Sequence, residues 1–212
     1  MYYLLLIFFY PISWLPLRVL YIIADMLFIM LYYVFKYRMK VTMQNLRLSF
    51  PEKSEEELKM IARKYYRNLC DSILETVKLF SISSYELEKR MKVNWEMFDT
   101  MTEQNRNGQA YMSHQFNWEW ATVLCNWRAP RRFTGLYMPL TNKAFDRLYL
   151  KLRARSGTQL IRVQDMQKKW HKCNNKKYFG DLLLTKIQVI LNEYRGMILC
   201  IGKQLFLRDL NL

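Results

Sequence analysis

The run Gln109-Ala110-Tyr111-Met112-Ser113-His114-Gln115-Phe116-Asn117-Trp118-Glu119-Trp120-Ala121-Thr122-Val123-Leu124 reads as a strand, a short polar turn and the start of a helix. On such a turn His114 and Glu119, five positions apart, can meet: the carboxylate folds back onto the ring nitrogen that faces away from a reacting group. A carboxylate there fixes the imidazole tautomer and stabilises the imidazolium, leaving the second nitrogen free to take a proton. That is two parts of a hydroxyl–histidine–carboxylate triad, with the hydroxyl left to an acceptor substrate. The chemistry implied is acyl transfer to an alcohol. A histidine near a glutamate can equally be a surface pair. Two features favour the site: the only other histidine, His171, lies in an anomalous tail, and Phe116, Trp118 and Trp120 can keep the pair partly dry.

Around this box the elements alternate. Asn105-Arg106-Asn107-Gly108 is a turn, Gln109–Ser113 a strand, Thr134–Met138 a second strand, Asn142–Arg155 a helix and Gln159–Val163 a third strand. Upstream, Ser54 with Glu57 forms a capping box behind Pro51. Leu58, Ile61, Ala62, Tyr65, Tyr66, Leu69, Cys70, Ile73, Leu74 and Val77 then recur at three-four spacing, which predicts one long amphipathic helix. A shorter helix follows from Ser84 to about Met91. A helical preface followed by alternating strand and helix predicts an α/β sandwich.

Residues 1–35 carry only Arg18 and Asp25 as charges and are otherwise rich in Leu, Ile, Tyr and Phe. Neither the early basic region nor the small-residue cleavage site of a signal peptide is visible. The expectation is a membrane anchor over residues 1–38, one transmembrane helix with an interfacial portion, its aromatics at the headgroups. Lys36, Arg38 and Lys40 follow, which by the positive-inside rule leaves the rest cytoplasmic. A buried hydrophobic hairpin is the alternative. The net charge is +15, from 33 Lys+Arg against 18 Asp+Glu, in 212 residues that are 51% hydrophobic. Such an excess suits anionic partners. The apolar N-terminus and the absence of any nucleic-acid motif favour a membrane over nucleic acid. Cys70, Cys125, Cys173 and Cys200 show no CxxC and no histidine at metal spacing, so they read as small buried hydrophobes of a reducing compartment.

The helix from Asn142 has a basic second half: Arg147, Lys151, Arg153 and Arg155. Basic residues there also complement the helix dipole, so a solvated helix end is one reading.

Several segments in this order resemble the lipid A biosynthesis (late) acyltransferases of the Bacteroidetes type, within the H-x4-D/E acyltransferase superfamily. They are Asn45-Leu46-Arg47 with Ser49-Phe50-Pro51-Glu52, Tyr65-Tyr66 ahead of Glu75, the His114/Glu119 box, Tyr137-Met138-Pro139-Leu140 with Asn142, and Arg153-Ala154-Arg155-Ser156-Gly157. The likeness runs from about Tyr3 to about Gln167. It implies an incomplete glycerolipid-acyltransferase-like α/β domain over 39–167, on the cytoplasmic side of the bacterial inner membrane. It implies transfer of an acyl chain from an acyl carrier protein or coenzyme A thioester to a hydroxyl of a lipid A precursor, with no metal and no redox cofactor. In that comparison His114 is the base and Glu119 its partner. Arg153 falls where the family carries an arginine that contacts phosphate or the developing oxyanion, and Asn142, with Arg155, lines the site. The alternatives are a glycerophospholipid acyltransferase, which more typically carries Asp where Glu119 stands, and a non-enzymatic membrane-anchored remnant.

Residues 168–212 depart from this pattern. The family continues with a strand ending in Asp-Gln-x-Pro; this chain reads Lys168-Lys169-Trp170-His171-Lys172-Cys173-Asn174-Asn175. With permitted synonymous codons, a frame shifted by two bases over Lys177–Gln188 can encode that motif. The same frame over Gly196–Leu212 can encode the family's next T-x-F-x-G-x-E block. The expectation is an out-of-frame tail after about residue 167, with activity impaired, and with Leu182–Leu184 and Val189–Leu191 at most a loosely packed helix. The nucleotide sequence through codons 167–169 tests this: an incompatible codon series removes the idea.

Overall fold

The structure, a computed structural model, describes residues 1–105, 108–112, 117–130, 133–165, 179–183 and 198–200. The chain divides into two compact units, one of residues 9–81 and one of residues 1–8 with 82–212.

The 9–81 unit is helical. The apolar N-terminus forms two helices, α1 (Tyr2–Trp14) and α2 (Leu17–Ile29), the latter continued by a π-helical segment Met30–Val34. The break falls at Pro16, which lacks an N–H and disfavours a helical Leu15; it sits at φ −57°, ψ 146° ahead of α2. The apolar N-terminus is thus a shorter helix followed by a longer one. Of these, α2 with its continuation, Leu17–Val34, is long and apolar enough to cross a membrane. After left-handed Lys36 and Arg38 come α3 (Met39–Ser49) and α4 (Glu55–Lys78).

Helix α4 begins as its sequence requires. The Ser54 hydroxyl accepts from the Glu57 N–H at 3.3 Å, and the Glu57 carboxylate accepts from the Ser54 N–H at 2.9 Å. Ser54→Ala removes one half of this box and is expected to lower stability by about 1 kcal/mol, measured by urea denaturation in detergent. One stripe of α4 is buried, including Leu58, Ala62, Tyr66, Cys70 and Leu74. Leu17, Leu20, Ala24 and Phe28 form the buried stripe of α2, and the two helices lie antiparallel. Tyr21 donates to Glu75 at 2.8 Å, Arg67 approaches Asp25 at 3.8 Å and lies over the Phe28 ring, and Tyr32 meets Tyr66 edge-on. Met43 of α3 packs with Leu58 and Ala62. Lys78, buried, donates to the carbonyls of Ser13 and Leu15, both at 3.0 Å, satisfying the orphan carbonyls at the end of α1. Glu75 thus stands buried on a phenol, as a structural member of this helix pair.

Burial, together with the Asp71 and Asp25 carboxylates, pushes the Cys70 thiol up to about 11. The folded state therefore holds this proton more tightly than the unfolded chain. The corresponding stability is complete below about pH 9 and declines as pH rises toward 11. Native protein at pH 8 is expected to resist alkylation at Cys70 and to react once unfolded, as followed by peptide mass spectrometry.

In the second unit, α5 (Ser84–Arg90) and α6 (Trp95–Glu103) precede β1 (Gly108–Met112), α7 (Trp118–Arg128), β2 (Phe133–Tyr137), α8 (Lys143–Ala154) and β3 (Gln159–Arg162). Helix α6 has no counterpart in the sequence reading: it is only two and a half turns, and of its apolar residues only Phe98 and Met101 are fully buried. These pack with Cys125 and Phe133 in the core. The three expected strands are present within a residue of their bounds. The strand β4 (Phe179–Leu183) and β5 (Ile198–Cys200) complete, among the described residues, a parallel sheet ordered β3-β2-β4-β1-β5. Gly108 pairs Phe179 on one side of β4 and Phe133 pairs it on the other. Leu182 and Leu183 lie in β4, which corrects the helical expectation there, since a short apolar run between two parallel strands is extended, while Leu184 and Val189–Leu191 lie outside the described residues. The class is α/β, with α7 joining β1 to β2 and α8 joining β2 to β3 across the sheet.

Candidate active site

The site is built where β1 hands over to α7. Asn117 caps this helix, its side-chain oxygen accepting from the Trp120 N–H at 3.4 Å, which places Trp118 and Glu119 in the first turn. A carboxylate is favoured there by the helix dipole. Glu119 is nevertheless buried, its side chain 6% exposed, so its charge needs partners. Arg153, near the C-terminal end of α8, supplies a two-pronged one. Its Nε donates to Glu119 Oε2 at 2.8 Å, and its Nη2 donates to Oε1. The Trp118 indole N–H donates to Oε1 at 3.2 Å. The Tyr149 ring, one turn before Arg153, lies 5.7 Å beneath the guanidinium. Burial, and then the Glu119 charge, raise the Tyr149 phenol, so it stays protonated at neutral pH.

The segment Arg153-Ala154-Arg155-Ser156-Gly157 has a part for nearly every residue. Arg155 donates to the Ile82 carbonyl at 2.8 Å and its guanidinium lies over the Trp127 ring. The Ser156 carbonyl accepts from Asn126 of α7, whose oxygen in turn accepts from the Phe133 N–H at 2.9 Å. Gly157 turns the chain at φ +83°, where a side chain would be strained. Asn126 thereby ties α7, β2 and the end of α8 together, which fixes the distance over which Arg153 reaches Glu119. No sequence signal marked Asn126, because a lone asparagine in a helix carries no periodicity.

Sequence reasoning named five site residues. Glu119 and Arg153 are brought together in one ion pair. Arg155 is anchored to the Ile82 carbonyl and the Trp127 ring. Asn142 is the N-cap of α8, accepting from Ala144 N at 3.0 Å and Phe145 N at 3.4 Å. His114 lies outside the described residues, as does Phe116 of the aromatic wall; Trp120 is fully buried core and Trp118 half-buried. Trp118 and Tyr149 were missed as partners of the carboxylate. The i, i+4 spacing of Tyr149 and Arg153 on α8 was the available signal.

The family model for bacterial lipid A biosynthesis acyltransferase matches residues 1–182. The chain belongs to this family. No curated protein matches it. As a lipid A biosynthesis acyltransferase the protein is an enzyme of acyl transfer, and the family match passes Gln167 to take in most of β4. Among the described residues no cluster of His, Cys, Asp and Glu is suited to hold a metal ion.

Proposed function

We propose that this acyltransferase moves a fatty acyl chain from the thioester of an acyl carrier protein or coenzyme A to a hydroxyl of a lipid A precursor. His114 is the base, Glu119 its orienting carboxylate and Arg153 the clamp on Glu119. The observation that carries the reading is the accounting of lone pairs on Glu119. A carboxylate offers about four acceptor positions. Among the described residues, Arg153 and Trp118 take both on Oε1, and Arg153 takes one on Oε2. The fourth, on Oε2, suits a ring N–H of His114, whose other nitrogen then faces the acceptor hydroxyl. His114 removes the hydroxyl proton as the oxygen attacks the thioester carbonyl. The carbon–sulfur bond breaks as the tetrahedral intermediate collapses, and the protonated imidazole returns its proton to the leaving thiolate. With its fork engaged by Glu119, Arg153 serves this step through the carboxylate; Arg155 and Asn142 line the mouth of the site. No metal or redox cofactor enters the scheme. On this reading the complete domain is an α/β sandwich held at the cytoplasmic face of the inner membrane by the apolar N-terminal helices.

The test offers lipid A precursor and lysophosphatidate as competing acceptors, with acyl carrier protein and coenzyme A thioesters as donors, to membranes carrying the protein. A product acylated on the lipid A precursor supports the proposal. Preferential acylation of lysophosphatidate contradicts it, as does the absence of transfer to either acceptor by a protein whose reading frame is restored after residue 167.

A further inference from the structure

Helix α2 has two apolar faces. Leu17, Leu20, Ala24 and Phe28 are buried within the 9–81 unit, whereas Val19, Ile22, Met26, Ile29 and Tyr33 form a second stripe, each between 38% and 58% exposed. The spacing of the second stripe is again three-four, so it is one continuous surface along the helix. A stripe of this length, exposed on one side of a packed helix, requires a cover. The basic residues Lys36, Arg38 and Lys40 stand at its C-terminal end, and Trp14, exposed, at its N-terminal end. Aromatic and basic residues flanking an apolar stripe match the headgroup layer of an anionic bilayer.

The partner of α2 decides how that bilayer is met. Tyr21–Glu75, Asp25–Arg67 and Tyr32–Tyr66 hold α2 antiparallel along α4 over most of its length. Exposed Arg63, Lys64 and Arg67 stand on the same stretch of α4. Tyr66 meets Tyr32 near the C-terminal end of the Leu17–Val34 span. A helix crossing the hydrocarbon with α4 at its side would therefore leave Arg63 and Lys64 at the headgroups but carry Arg67, and behind it Asp71 and Glu75, to bilayer depth. Charges there are strongly disfavoured and are not offset by five half-exposed apolar side chains. An interfacial placement satisfies both faces at once. The outer stripe enters one leaflet, and the α4 cations stay in water near anionic headgroups.

We propose that α2 is monotopic: the Val19–Tyr33 stripe embeds in one leaflet of an anionic bilayer and the helix does not cross it. This departs from the transmembrane expectation drawn from composition. It concerns attachment alone and does not rest on the chemistry of His114 or Glu119.

The experiment uses the full chain with one epitope ahead of Met1 and a second after Leu212, expressed in a bacterial host. Inside-out vesicles and intact spheroplasts are treated with protease. Both epitopes are expected to be digested in the vesicles and both protected in the spheroplasts. Digestion of the N-terminal epitope in spheroplasts, with the C-terminal one protected, means that α2 crosses and overturns the proposal. Purified chain is also floated with vesicles of phosphatidylethanolamine and phosphatidylglycerol. Ile22→Glu and Met26→Glu are each expected to lower partitioning by about tenfold, with the helical circular dichroism retained. Unchanged flotation in both variants, or conversion of a dimer to a monomer without loss of flotation, assigns the stripe to another partner and equally overturns it.

Discussion

Replacing His114 with alanine is expected to lower the turnover of acyl transfer by about 10²–10⁴-fold, the range contributed by a positioned general base. Thermal unfolding and membrane attachment of the variant should match the parent protein. Glu119→Gln keeps the size of the side chain but removes the charge that stabilises the imidazolium, so turnover falls while most packing is retained. Near-parental activity in His114→Ala would remove the histidine from the mechanism. Steady-state transfer from acyl carrier protein thioester, with folding followed by circular dichroism, separates the two effects.

Arg153→Ala is expected to be the most destabilising single change at the site. It leaves the buried Glu119 carboxylate without its two-pronged partner. Breaking a buried pair from one side costs about 3–5 kcal/mol, because the remaining charge is left desolvated. Arg153→Lys should recover only part of this, since an ammonium cannot bridge both oxygens as the guanidinium does. The double variant Glu119→Gln with Arg153→Met, which removes both charges, is expected to be more stable than Arg153→Ala alone. Chemical denaturation of the four proteins measures this. A loss in Arg153→Ala of under about 1 kcal/mol would place the pair among the weak surface ion pairs.

The parts of the fold that were legible in sequence are those in which one periodicity dominates. Helix α4 announces itself through Ser54, Glu57 and an unbroken apolar stripe, and its start falls at the capping box. The strands β1, β2 and β3 are bounded by turn residues and lie where those signals put them. Helix α6 was not legible because its two fully buried apolar residues, Phe98 and Met101, are too few to establish a period. The pairing of α2 with α4 was not legible either. Nothing in a sequence of Leu, Ile and Phe says which of two apolar faces meets protein. At the site, spacing alone pointed to Glu119, and the resemblance pointed to Arg153. Their mutual contact spans 34 positions and depends on how α7 and α8 pack, which no local pattern encodes. The tail is the remaining case. Strands β4 and β5 stand in the sheet after residue 167, in a stretch whose local residues gave no strand pattern that could be read.

The dependence of kcat/KM on pH, measured for the parent protein and for Glu119→Gln, tests the account most directly. A carboxylate beside the imidazole favours its protonated form, so the parent's activity should fall below an apparent pKa that belongs to His114. Removing the charge should lower that pKa: the acid limb moves to lower pH in Glu119→Gln, while the plateau falls. An acid limb unmoved by the substitution, or a parent rate independent of pH between about 5 and 8 where histidine titrates, would contradict a His114 base oriented by Glu119.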